Sequence, residues 1–60
     1  MEKVFEEYGI EIFRDNGRYV LRYDSGEIVS RLEDIAISEE DAFRAQVSEE
    51  DAYRVIIENE

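Results

Sequence analysis

Neither cysteine nor histidine occurs among the 60 residues. Disulfides, thiolate chemistry, zinc sites and imidazole acid–base catalysis are therefore excluded together, and nothing marks a redox compartment. Positive charge is scarce as well, with 7 Lys and Arg against 17 Asp and Glu and a net charge of −10 at neutral pH. Nucleic-acid binders need a basic face that releases counterions, so neither direct nucleic-acid binding nor an anionic membrane surface suits this chain. No apolar run approaches the roughly 18 to 20 residues of a membrane span, and the acidic start Met1-Glu2-Lys3 does not read as a signal peptide. A cytoplasmic, soluble protein is the expectation. The length allows one domain, residues 1–60, with a small core, because a chain of this size buries only about 60% of its unfolded surface.

Acidity here is not the signature of disorder. Apolar residues make up 43% of the chain, and the seven aromatics fall at patterned positions. Asn16-Gly17 lies between Ile10-Glu11-Ile12-Phe13-Arg14 and Arg18-Tyr19-Val20-Leu21-Arg22-Tyr23, two β-prone runs, as a type I′ hairpin requires. A two-residue loop sets Arg14 opposite Tyr19, Phe13 opposite Val20, Ile12 opposite Leu21, Glu11 opposite Arg22 and Ile10 opposite Tyr23. Ile10, Ile12, Tyr19, Leu21 and Tyr23 then share one face, with Glu11 and Arg22 forming a cross-strand ion pair on the other. A second turn at Asp24-Ser25-Gly26-Glu27 predicts Ile28 opposite Tyr23, Val29 opposite Arg22 and Ser30 opposite Leu21, extending toward Leu32. Ile35-Ala36-Ile37 is a candidate short fourth strand. Residues 1–9 fit either a short helix or an extended lead-in.

The last third repeats itself at an interval of ten residues, Ile37-Ser38-Glu39-Glu40-Asp41-Ala42-Phe43-Arg44 and then Val47-Ser48-Glu49-Glu50-Asp51-Ala52-Tyr53-Arg54. Each copy has a Ser placed as an N-cap, acids in the first turn where the helix dipole favours them, and an apolar pair suited to a hydrophobic staple. So short a period reads as two successive helix starts and not as a solenoid. From Ser48 to about Asn59 the spacing predicts an amphipathic helix with Ala52, Tyr53, Ile56 and Ile57 on its apolar face and Glu49, Glu50, Arg54 and Glu58 outside.

Catalysis has little material, since Ser25, Ser30, Ser38 and Ser48 have no His to act as base and Lys3 is near a terminus. The chain is not expected to be an enzyme. The triplets Glu39, Glu40, Asp41 and Glu49, Glu50, Asp51 lack the spacing of a calcium loop, and no metal or cofactor is expected. An acidic helix face can imitate spaced phosphates and occupy the basic groove of a nucleic-acid-binding protein, and these six residues are the candidate partner-binding set. A second candidate surface is the other sheet face, where Phe13, Val20 and Val29 fall among Arg22 and Arg31. That row suits a homodimer, which a small chain without disulfide or metal has reason to form.

The order of elements also carries a resemblance. The hairpin Ile12-Phe13-Arg14-Asp15-Asn16-Gly17-Arg18-Tyr19-Val20-Leu21, the step Gly26-Glu27-Ile28 and the ending Val47-Ser48-Glu49-Glu50-Asp51-Ala52-Tyr53-Arg54-Val55-Ile56-Ile57-Glu58-Asn59 together resemble small immunity proteins of bacterial polymorphic toxin systems. Those proteins open with a short β-meander and close with an acidic Ser-Glu-Glu-Asp helix. The resemblance implies a cytoplasmic inhibitor that binds and blocks a cognate toxin, often a basic nuclease.

These readings converge on an α+β domain. A three- to four-stranded antiparallel β-meander over 10–37 is to be covered by a C-terminal α-helix preceded by a short helical turn, both within 38–60. The function expected is that of a non-catalytic acidic module, immunity-type or nucleic-acid-mimicking, that binds a basic protein. The alternative is a structural or regulatory homodimer joined through Phe13, Val20, Arg22, Val29 and Arg31.

Overall fold

The computed structural model describes residues 1–26, 28, 29 and 31–59. Strands β1 (Glu2–Glu7), β2 (Ile10–Asp15), β3 (Arg18–Asp24) and β4 (Leu32–Ile37) precede helices α1 (Glu39–Arg44) and α2 (Glu49–Glu58). The strands form one antiparallel sheet in the order β1-β2-β3-β4, so the fold is the expected α+β meander with its helices at the C-terminal end.

The β2–β3 hairpin has the register its Asn-Gly turn dictates, from Ile10 opposite Tyr23 to Arg14 opposite Tyr19. Asn16 and Gly17 both take positive φ, 53° and 78°. The ambiguous lead-in resolves as a strand, because Tyr8 (φ 58°) and Gly9 (φ 75°) make a second turn with the same two signs. Tyrosine rarely occupies that region, which is why the turn carries no sequence signal. A β-bulge at Val4 then decides the faces of β1. Lys3 pairs with Phe13 while Phe5 pairs with Ile12, so the extra residue moves Phe5 from the outer face to the core face.

The pairing of β3 expected after the turn at 24–27 is corrected. Ser25, Gly26, Ile28, Val29 and Arg31 lie outside the strands, and β3 pairs with β4 so that Tyr19 opposes Ile37, Leu21 opposes Ile35 and Arg22 opposes Asp34. Glu27 and Ser30, on which the expected turn and register relied, lie outside the described residues. Ile28 and Val29 are exposed instead of paired. The physical reason lies in the partner offered to Leu21: the shorter register supplies a serine, whereas β4 supplies Ile35 and Ile37 to the core face. Each such side chain, when fully buried, contributes about 1.5–3 kcal/mol. The loop is closed by Asp24, whose Oδ1 accepts from the Gly26 and Arg31 amides at 2.9 Å each, and by the Ser25 amide donating to the Arg31 carbonyl at 2.8 Å. A Cβ on Gly26 would fall 1.7 Å from the Val29 carbonyl oxygen, so the loop needs glycine there.

The core is one cluster of Ile10, Ile12, Tyr19, Leu21 and Ile37 from the sheet with Ala42, Ala45, Ala52 and Val55 from the helical segment. Both helices start as the repeat predicts: the Asp41 amide donates to Ser38 Oγ at 3.0 Å and the Asp51 amide to Ser48 Oγ at 3.1 Å. The apolar stripe of α2 differs from the expected one. Ala52 and Val55 are buried, with Ile56 half-buried, whereas Tyr53 and Ile57 are 64% and 51% exposed. A three-residue turn at Ala45, Gln46 and Val47 joins the helices, and the staple partner Val47 stays exposed where its counterpart Ile37 is buried.

Candidate functional site

The two acidic triplets divide internally in the same way. Their aspartates turn inward. Asp51 accepts from the Ser48 hydroxyl at 2.9 Å, and Asp41 accepts from the Asn59 amide at 3.3 Å and lies 3.5 Å from Arg44. Arg44 also pairs with Glu58, whose hydrogen bond holds its guanidinium above its ordinary range against a burial penalty, with lesser support from the fields of Glu58, Asp41 and Asp51. The glutamates Glu39, Glu40, Glu49 and Glu50 are exposed. Among the described residues Glu39, Glu40 and Glu49 have no ion-pair partner, while Glu50 meets Arg54 at 2.8 Å.

Asp41 accepts from the side chain of Asn59, the C-cap of α2, whereas Asp51 is in the first turn of that helix. Among the described residues no three carboxylates are grouped so as to hold a metal ion.

On the outer sheet face the expected dimer row is broken up. Phe13 and Val20 are half-buried and share that face with Arg22. The Arg22 guanidinium lies 4.8 Å over the Phe13 ring. Val29 and Arg31 belong to the loop after β3 and not to a strand on this face, because β4 begins only at Leu32. The expected Glu11–Arg22 ion pair is also corrected. The two are opposite in register, but Arg22 bonds Asp34 and Glu11 is bridged by Lys3 at 3.2 Å. Lys3 also reaches Glu6 at 3.3 Å, and so relieves the repulsion between Glu6 and Glu11, which face each other across β1 and β2.

One feature escaped the sequence. Between the Tyr8–Gly9 turn and α2 runs a groove of about 380 Å³ whose lining includes Tyr8, Ile10, Tyr53 and Ile56 together with Glu49 and Glu50. The first four residues also line an adjoining cavity of about 620 Å³ that reaches Tyr23 and Ile57. Neither the Tyr8 turn nor the outward rotation of Tyr53 has a periodic signature that could have disclosed it.

No family model, curated protein or solved structure matches the chain. The site therefore rests on its own chemistry. No described helix is long and apolar enough to cross a membrane.

Proposed function

We propose that the protein is a non-catalytic, acidic protein-binding module that occupies the basic surface of a partner, as a cytoplasmic immunity-type inhibitor or a mimic of nucleic acid does. The observation that carries this reading is the division of labour within each triplet. The aspartates serve the caps and Arg44, while Glu39, Glu40, Glu49 and Glu50 remain in solvent. Five of the seven cations, Lys3, Arg14, Arg22, Arg44 and Arg54, are engaged with carboxylates of the chain itself. The charge left over is negative, and it favours fast encounter with a basic partner.

The test is capture of basic proteins on the immobilised chain at low and at ~0.5 M salt, where screening weakens exposed ion pairs. The reading expects a partner that is shed at high salt, displaced by added nucleic acid, and lost when all four glutamates are changed to glutamine. A partner indifferent to salt and to those changes sinks it. A stable dimer that dissociates on Val20→Glu, with no salt-sensitive partner, would favour the homodimer instead.

A further inference from the structure

We propose that the groove between the Tyr8–Gly9 turn and α2 seats a lysine or arginine side chain presented by the basic partner, an inference that rests on the function proposed above. Its lining has the two halves of that side chain's chemistry. Tyr8, Ile10, Tyr53 and Ile56 offer apolar surface to an alkyl stem, and Glu49 and Glu50 offer carboxylates to the cation at its tip. Glu49 has no counter-ion among the described residues, and Glu50 has only the exposed Arg54. A phosphate or carboxylate would be repelled by these two groups and by the net charge of −10. A purely aliphatic side chain would crowd the carboxylates without pairing them, which disfavours it by desolvation.

The tyrosines add selectivity for a cation, since a ring face attracts one within about 6 Å of its centroid. Tyr8 is set in place from two directions: its backbone is held at φ 58°, and its ring packs on Phe5 with 5.8 Å between centroids. Tyr53 is 64% exposed although it follows the buried Ala52, so its ring is accessible to an inserted stem.

The experiment follows backbone amide shifts of the labelled, full 60-residue chain. The probes are capped pentapeptides in which glycines flank a single arginine, lysine or citrulline; citrulline keeps the shape of arginine without its charge. Arginine and lysine peptides are expected to shift amides from Tyr8 to Ile10 and from Glu49 to Ile57, and citrulline to bind about tenfold more weakly. Tyr53→Ala and Glu49→Gln should each weaken arginine binding about fivefold, while Asp15→Asn, exposed at the end of β2 away from the groove, stays within about twofold. Because Tyr53 and Glu49 are exposed, both variants should keep the wild-type circular dichroism. Three results would overturn the inference. These are small shifts spread evenly over both helix starts, citrulline binding as well as arginine, and concentration-dependent shifts at the groove without peptide, which would name a second copy as its occupant. Salt-sensitive capture of a partner that survives Tyr53→Ala and Glu49→Gln would remove the groove from the interface yet leave the proposed function standing. Absence of salt-sensitive capture would remove both.

Discussion

Arg22 forks onto Asp34 across β3 and β4, with Nε 2.8 Å from Oδ1 and a terminal nitrogen 3.2 Å from Oδ2. The same guanidinium lies over Phe13 on β2. One side chain therefore ties three strands together on the outer face and covers the apolar row that would otherwise invite a partner.

That fork gives an acid-dependent contribution to stability. Arg22 holds the Asp34 carboxyl below the usual carboxylate range, its hydrogen bond outweighing a small desolvation that acts the other way. A carboxyl depressed in the folded state stabilises above its unfolded pKa, and the contribution fades as pH falls through the folded one. Stability at neutral pH should therefore drop on Asp34→Asn, and the variant should lose less than the wild type from about pH 4 downward. Urea denaturation across that range checks it; parallel curves would remove the fork from the account. The effect will be small because both side chains are partly in solvent.

The register of β4 is open to a direct comparison. Ile37→Ala removes a core side chain opposite Tyr19 and should cost about 2–5 kcal/mol. Val29→Ala, at an exposed loop position, should stay within about 0.5 kcal/mol. Comparable losses at the two positions would restore the shorter turn.

Both serine caps should be measurable. Ser38→Ala and Ser48→Ala each remove an acceptor for a first-turn amide, and each should cost about 0.5–2 kcal/mol. Denaturant midpoints of the two variants and their double would show whether the helix starts act independently. A neutral Ser48→Ala would contradict the capping geometry of α2.

Tyr8 sets stability against binding. Asparagine accepts positive φ with less strain, so Tyr8→Asn should relax the turn by up to about 1 kcal/mol, less whatever the Phe5 ring contact supplies. The same change should weaken the arginine peptide by removing a groove wall. Thermal melts and peptide titrations on one sample test both; a variant that binds unchanged would leave Tyr8 a purely structural role.

Legibility in the sequence followed the range of the forces involved. Asn16-Gly17 fixed the central hairpin and its register, because turn chemistry acts over two residues and alternation over five or six. The two Ser-Glu-Glu-Asp starts disclosed both caps for the same reason, and the six acids of the triplets were legible only as one acidic set. Other features depended on contacts far apart in the chain. Tyr8 accepts positive φ only within a folded hairpin, and the Val4 bulge exists to carry Phe5 to the core. The partner of β3 was chosen by Ile35 and Ile37 over nearer candidates, since burial in the core outweighs the advantage of a short loop. In α2 Val55 went inward and Tyr53 outward, a rotation that the apolar pattern of the helix left open.

By itself, then, the sequence determined the α+β class, the central hairpin, the helix caps and the acidic surface, all of which depend on local chemistry or on charge alone. Only the tertiary structure decided which strand completes the sheet, that the aspartates of the triplets turn to Arg44 and the caps while the glutamates stay in water, and that a tyrosine-walled groove opens beside Glu49. Those outcomes depend on how side chains distant in sequence share a small core, where packing decides among arrangements that local preferences leave nearly equal.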